Sequence, residues 1–403
     1  MSWFKSQKID TSPEKIDELL TRGVTEVIEH DHLRQQLLLG KQLRVKLGID
    51  PTSPNIHIGR AVQLWKLRAF QELGHHVVLI IGDFTGIIGD TSDKESERPM
   101  LTEEQIAENQ KTYFEQAFKI LDKSKTETAY NSTWLGKLGF AEIGKLANVF
   151  GLHEFEAREN IAIRLKAGRR VSLRELMYPL MQGYDSIVVK ADVELGGTDQ
   201  RFNLLAGRTM QPVYGQKPQD IVMTVLMEGT DGRKMSSSWG NVINIHDEPN
   251  DMFGKVMSVR DDLIVKYFLL ATRLDQKEIQ KIEKELKTTN PRDIKIRLAR
   301  EIVTLYHGKE AAERSAANFE NTFKKGGVPE DIKEIAVPKD TPLVDVLLQT
   351  GLVESKSDFR RLVGEGAVTV HGTEVKITDP NIKITEAVTI KIGKRRFIKI
   401  TVN

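Results

Sequence analysis

Apolar and polar residues alternate over residues 43–49 (Leu-Arg-Val-Lys-Leu-Gly-Ile), the period-two signature of a strand. A helical spacing follows from about residue 58 to residue 73, and Gly74 stops it. Residues 76–81, His-Val-Val-Leu-Ile-Ile, are a short apolar run between turn signals and predict a second strand. Strand, helix and strand in this order predict a βαβ unit on a parallel sheet. The apolar runs at 185–189 and 220–226 are expected to continue that sheet, and the stretch between, roughly 102–174, reads as a mostly helical insertion with polar faces.

After Pro249 the period changes. Residues 252–270, 276–286 and 291–307 carry apolar side chains at three- and four-residue spacing, which predicts a helical domain over 249–325. Gly326, Gly327, Pro329, Pro338 and Pro342 mark residues 326–342 as a linker. Beyond it, two short helices and the alternating runs 367–370 and 388–392 predict a small α/β module over 343–403. The expected fold is a Rossmann-like, doubly wound parallel-sheet domain over 1–248, with its insertion at about 100–175, followed by these two smaller domains.

Composition narrows the classes. A chain of 403 residues with 39% hydrophobic and 29% charged residues is long enough for several globular cores and is not a disordered sequence. It contains no cysteine, which excludes disulfide scaffolds, thiolate zinc sites, iron–sulfur clusters and cysteine nucleophiles. No apolar run approaches the roughly 20 residues of a membrane span. The first fifteen residues show no apolar stretch behind a basic start, so a cytoplasmic protein is expected. With 59 basic against 57 acidic residues, a nucleic-acid partner has to be held by a local patch.

Two segments carry candidate chemistry. Asp50, Thr52, His57, Gly59 and Arg60 lie where the first strand ends and a helix opens, a place where parallel sheets bind ligands and free N–H groups attract phosphate. A strand-to-helix turn with a surface histidine is the competing reading. Residues 229–238, Gly-Thr-Asp-Gly-Arg-Lys-Met-Ser-Ser-Ser, form a Gly-containing loop, expected to be mobile, whose adjacent cations Arg233 and Lys234 and three hydroxyls suit a polyphosphate. A solvated surface turn competes there.

Taken together, the early His57-Ile-Gly59-Arg60 turn and the late Lys234-Met235-Ser-Ser-Ser loop resemble the two signatures of class I aminoacyl-tRNA synthetases. The intervening segments, 82–90, 94–98, 178–185 and 195–203, resemble those of bacterial tyrosyl-tRNA synthetases, and residues 341–372 resemble their S4 RNA-binding module. The resemblance implies ATP and L-tyrosine as substrates, magnesium accompanying ATP, no zinc, tRNA(Tyr) as partner and a homodimer, with the apolar surface of the insertion as its interface. It implies that Asp90, Tyr178 and Gln182 hold the tyrosine ammonium, that Asp185 accepts from the phenol, and that Gln200 contacts the carboxyl. Tyr178, Gln182 and Asp185 also fall at i, i+4 and i+7, one face of a helix. By the same resemblance Asp199 beside Gly197 binds the ribose; Thr52, His57, Lys234 and the adjoining Gly59, Arg60 and Met235 serve ATP; and Asp50 lies near the adenosine or amino end. Lys356, Arg360 and Arg361, on a helix expected to begin at Ser355, form the implied tRNA surface, with a second basic cluster at residues 394–396.

Three positions depart from the family pattern. Arg60 stands where the family has histidine and, being larger and always charged, is expected to clasp phosphate in the ground state as well as in the transition state. Ser237 replaces the second loop lysine, which leaves Arg233 as the candidate to compensate. Lys46 stands where some members have a hydroxyl-binding tyrosine, so recognition is expected to lean on Asp185. A tryptophan-specific synthetase, which would share both signatures, is one alternative, against which Asp185 and the S4-like module argue; a catalytically weak, synthetase-derived RNA-binding protein, kept open by Arg60 and Ser237, is the other.

Overall fold

The computed structural model describes residues 8–90, 100–324, 333–371, 375–393 and 396–403. The 94–98 segment, Gly326, Gly327, Pro329, Gly372 and the Lys394–Arg395 pair of the sequence reading lie outside the described residues. The chain divides into two compact units, one of residues 1–247 and 259–294 and the other of residues 248–258 and 295–403.

The first unit is built on a six-stranded sheet. Its strands are β1 (Val24–Ile28), β2 (Arg44–Ile49), β3 (His76–Ile81), β4 (Thr126–Tyr130), β5 (Val193–Gly197) and β6 (Asp220–Thr224), in the spatial order β1-β6-β5-β2-β3-β4. All neighbours are parallel except β1, which runs antiparallel to β6 and closes that edge. Val45, Leu47, Val77, Val78, Leu79, Val193, Ile221 and Val222 are fully buried, as expected for a parallel sheet covered on both faces. The chain winds outward through β2, β3 and β4, then returns to lay β5 and β6 on the other side of β2. The order therefore reverses between β2 and β5, and the crevice at their carboxyl ends is where such sheets bind ligands.

Several expected elements change. Residues 185–189 are not a strand: they are the last turns of the Leu173–Val189 helix. Ser172 caps that helix in a reciprocal box with Glu175, and its apolar end is buried, a pattern that a short run shares with a buried strand. The strand that does follow, β5, is short and glycine-ended. The 102–174 segment is not wholly an insertion, since β4 within it pairs with β3 along its length. Its sequence, Thr-Glu-Thr-Ala-Tyr, is half exposed and has no apolar run to announce it.

In the second unit, the Pro249–Met257 helix packs with the Lys309–Lys324 helix, where Phe253 and Phe319 meet at 5.5 Å between ring centroids. Residues 259–294, expected in the helical domain, belong instead to the first unit. The linker reading of 326–342 is corrected in part. Lys333–Val337 is a strand, β7, and Thr341–Pro342 another, β8. They join β9 (Val368–Val370), β10 (Lys383–Ile384), β11 (Val388–Ile392) and β12 (Arg396–Val402) in a four-stranded sheet of order β7-β12-β11-β9 and a β8–β10 pair. The helices Leu343–Gln349 and Lys356–Gly364 cover it, burying Leu343, Leu347, Phe359, Ile390 and Ile398 in one core.

Candidate active site

The carboxyl ends of the central strands open into a cavity of about 520 Å³, within the roughly 300–1,000 Å³ usual for small-molecule sites. Asp50, Thr52, His57, Gly59, Arg60, Asp90, Tyr178, Gln182, Asp185, Asp199, Gln200, Lys234 and Met235 all line it. Segments more than 180 residues apart in sequence thus converge on one space, because each follows a strand end or faces one. Gly197 does not line the cavity; it lies beneath Asp199, whose carboxylate a side chain at 197 would strike. Lys356, Arg360 and Arg361 belong to the second unit.

One wall is a continuous hydrogen-bonded network. The Tyr178 hydroxyl donates to Asp50 Oδ2 at 2.8 Å, and Thr85 Oγ1 donates to Asp50 Oδ1 at 2.8 Å. Asn131 Nδ2 donates to Thr85 Oγ1 at 2.9 Å and to Asp185 Oδ2 at 3.2 Å, and Trp134 Nε1 donates to Asp185 Oδ1 at 2.7 Å. Burial pushes the Asp50 carboxyl up to about 6, against the pull of its Tyr178 and Thr85 hydrogen bonds. Burial likewise raises Asp185 to about 7, although Lys46 and the Trp134 and Asn131 donors oppose the shift. A buried carboxylate that accepts two hydrogen bonds keeps lone pairs for one more donor, so Asp185 can accept a further hydrogen bond from the cavity. Gln200 donates to Asp90 at the edge of the same wall.

The second wall carries the cations. His57 caps the Ile58–Glu72 helix, its Nδ1 accepting from the Arg60 backbone N–H at 3.2 Å. Burial, with Arg60 and Lys234 close by, holds the ring down at about 3. At neutral pH it is therefore uncharged, and because Nδ1 accepts, its proton sits on Nε2 as a donor. Lys234 Nζ lies 2.8 Å from Asp199 Oδ2. Gly59 admits Met235, whose sulfur stands 3.3 Å from the Gly59 nitrogen. The 229–238 loop is held by hydrogen bonds: Met235 N–H donates to Met227 O, Gly229 N–H to Arg233 O, and Asn241 bonds both Ser236 and Asp231.

The structure places two cations weighed at the departures, Arg233 and Lys46, outside the cavity. Arg233 does not compensate for Ser237. It is absent from the cavity lining, pairs with Asp231 at 2.6 Å and stacks on Trp239 at 4.9 Å. Lys46 does not reach the cavity either. It is fully buried, and its ammonium donates to Gln182 O at 2.9 Å, Ser186 Oγ at 2.9 Å and Glu194 Oε1 at 2.8 Å, which exhausts its three donors. Glu194 also accepts from Gln182 Nε2 at 3.1 Å, so this buried pair holds the Gln182 side chain from behind.

Sequence reading did not single out Thr85, Asn131, Trp134 or Glu194, which bond the cavity residues Asp50, Asp185 and Gln182. Asn131 and Trp134 follow the end of β4, so identifying Thr126–Tyr130 as a strand was the signal that could have found them.

The sequence model for class I tRNA synthetases (W and Y) matches residues 39–324. A tyrosine--tRNA ligase of Carboxydothermus hydrogenoformans is 48% identical over 401 residues, covering 95% of this chain and 97% of that protein. One of Thermotoga maritima is 43% identical, covering 97% and 98% respectively. Among solved structures, a tyrosyl-tRNA synthetase from Archaeoglobus fulgidus complexed with L-tyrosine has a TM-score of 0.61 at 24% identity, covering 76% of this chain and all of that one. A tryptophanyl-tRNA synthetase from Plasmodium falciparum has a TM-score of 0.57 at 15% identity, over 77% of this chain and 90% of that one. At those identities the structural likeness shows the fold alone. The family match and the full-length relatives go further: this chain belongs to the class I tRNA synthetases of the tryptophan and tyrosine type, among the tyrosine--tRNA ligases.

Proposed function

We propose that the cavity activates L-tyrosine with ATP to tyrosyl-adenylate and pyrophosphate, and that the tyrosyl group then passes to the 3′ end of tRNA(Tyr) with release of AMP. The observation that carries this reading is the pairing, in one cavity, of a buried carboxylate network with a separate set of cations and a neutral imidazole donor. Asp90, Tyr178 and Gln182 take the ammonium, with Asp50 behind Tyr178, and Asp185 takes the phenolic hydroxyl. A site that leaves a buried acceptor unpaired rejects the substrate lacking the hydroxyl; a tyrosyl-tRNA synthetase is itself the standard illustration of this effect. Gln200 contacts the carboxyl and Asp199 the ribose. Thr52, His57, Arg60 and Lys234 meet the phosphates.

The tyrosine carboxylate attacks the α-phosphorus, an oxygen–phosphorus bond forms as the bond to the pyrophosphate oxygen breaks, and no protein nucleophile is needed. Catalysis is then positioning plus stabilisation of developing charge. Magnesium would arrive with ATP, whose phosphates would hold it and whose charge it would offset; among the described residues no group of three or more His, Asp or Glu side chains gathers as a metal site.

The exposed helix face of Lys356, Arg360 and Arg361 supports tRNA binding, although Arg361 is shared with Asp358 at 2.7 Å and Glu365 at 2.8 Å, and Lys356 lies 3.5 Å from Asp345. Phe140, 94% exposed, and Leu173, 78% exposed, support a homodimer through the helical 100–175 region. Sedimentation equilibrium showing only monomer would count against it. No described helix is long and apolar enough to cross a membrane, and a cytoplasmic location is proposed with the function. Tyrosine-dependent ATP–pyrophosphate exchange tests the activation step, and aminoacylation of tRNA(Tyr) tests the transfer. Equal exchange with tryptophan refutes the specificity, and absence of adenylate in a single turnover refutes the chemistry and leaves an RNA-binding protein.

A further inference from the structure

Three side chains of the segment that precedes β4 bond four backbone groups of the ATP-side turn. Asn109 Nδ2 donates to Pro51 O at 3.0 Å, the Tyr113 hydroxyl to Ser53 O at 2.6 Å, and Gln116 Nε2 to Pro54 O at 2.8 Å. Gln116 Oε1 in turn accepts from Ile56 N–H at 2.7 Å. Tyr113 and Gln116 are fully buried. The same Tyr113 oxygen, having donated its hydrogen to Ser53, accepts from Arg60 Nη1 at 3.1 Å. Arg60 Nη1 also donates to Asp50 O at 2.9 Å, and Nη2 donates to Thr52 Oγ1 at 3.0 Å. Of the five N–H donors of a guanidinium, three are thus spent on protein and two are left for a ligand. Arg60 lines the cavity, and Thr52, accepting from Arg60, keeps its own hydroxyl hydrogen to donate.

The loop opposite brings Lys234 to the cavity but no second cation. Ser237 presents a hydroxyl 3.2 Å from Ser53 Oγ, on the turn that Tyr113 braces, while Arg233 is committed to Asp231 and Trp239. We propose that Arg60 is the second phosphate-binding cation of this chain, transferred from the loop to the rigid start of a helix, and that Tyr113 is the positioning residue that aims it. A planar, always charged guanidinium suits the task only if its orientation is fixed, because two parallel donors recognise phosphate in one geometry. The Tyr113 oxygen and the Asp50 carbonyl supply that orientation. Lysine on a loop reaches its ligand by moving; arginine clamped on three acceptors is already in place, so it acts on bound ATP as well as on the transition state.

This inference rests on the tyrosine-activating reading, and a double-mutant cycle separates the two. In single-turnover tyrosyl-adenylate formation with ATP varied, Arg60→Gln should lower kcat/KM for ATP by about 100-fold, the scale of one lost charge-stabilising donor. Tyr113→Phe, which removes only the hydroxyl, should raise KM for ATP about tenfold with a smaller change in kcat. Tyrosine affinity, measured at equilibrium without ATP, should stay within about twofold in both and also reports that the variants are folded. Tyr113→Phe placed on Arg60→Gln should cause little further loss, because the residue it aims is gone. Ser237→Lys on Arg60→Gln should recover at least tenfold. Independent, multiplying effects of Tyr113→Phe and Arg60→Gln, or an ATP dependence that Arg60→Gln leaves untouched, overturn the inference while leaving the function standing. A wild-type protein that forms no adenylate removes the reading beneath both.

Discussion

Asp185 sets a pH dependence that distinguishes tyrosine from its nearest analogue. The carboxyl is 4% exposed, burial raises it to about 7, and its partners are Asn131 and Trp134, with Lys46 and Glu194 as the further charges that act on it. The phenol of tyrosine donates to the ionised form, so binding pulls the proton off and drops the carboxyl toward its ordinary value. Tyrosine affinity is then full above pH 7 and falls as pH drops through 7. Protonation weakens binding by the ratio of the ionised fractions, which between pH 8 and pH 5 is about 100-fold, or roughly 2.7 kcal/mol at 1.36 kcal/mol per unit. Asp50, raised to about 6, adds a second step on the acid side, but it acts near the ammonium and so affects any amino acid. Phenylalanine offers no donor to the ionised Asp185, so its affinity should not fall as pH drops through 7, and only the Asp50 step should weaken it. The assay is equilibrium binding of tyrosine and of phenylalanine from pH 5 to 8 without ATP, in wild type and in Asp185→Asn. The variant should lose the step near pH 7 and bind tyrosine at a nearly constant, weaker affinity above pH 6. Identical pH profiles for the two amino acids, or a step near 7 that persists in Asp185→Asn, would refute the assignment.

Other outcomes follow from the same geometry. Lys46→Met strands Glu194 in a fully buried position and should cost about 3–5 kcal/mol in urea unfolding; adding Glu194→Gln, which removes the stranded charge, should recover part of it. His57→Ala and Lys234→Ala should each slow adenylate formation about 100-fold, with tyrosine affinity within about twofold, as quench-flow and equilibrium binding check; a large loss of tyrosine affinity would mean the residue has been misplaced. Truncation before Lys333, rather than inside its β7–β12 pairing, should keep adenylate formation and strongly reduce tRNA charging, read by pyrophosphate exchange and aminoacylation. Replacing Arg360 and Arg361 with glutamine in the full chain should weaken tRNA binding and flatten its salt dependence by about one unit of slope or less per arginine, since Arg361 is partly neutralised by Asp358 and Glu365.

What the amino-acid sequence determined by itself is the local chemistry and the broad frame. The turn from Asp50 to Arg60 is contiguous, opens on a strand and closes on a helix, and one of its hydrogen bonds, the His57 cap, is short-range. The helix beginning at Ser355 was legible for the same reason: Ser355 Oγ accepts from Asp358 N–H three residues on, and Phe359, Leu362 and Val363 face the core. The i, i+4, i+7 spacing of Tyr178, Gln182 and Asp185 placed three cavity residues on one surface, although the apolar end of that helix reads equally well as strand. Tertiary structure decided the rest, because the partners are distant in sequence. The burial of Lys46 is made tolerable by Glu194, 148 residues away, and nothing near Lys46 announces that pairing. Asp185 receives Trp134 from 51 residues upstream, and Arg60 receives Tyr113 from 53 residues downstream. A charged side chain takes its role from the acceptors that fill its donors. Local sequence therefore names the cation, while the fold chooses between Arg233 on Asp231 and Trp239, Lys46 in the core and Arg60 at the cavity wall.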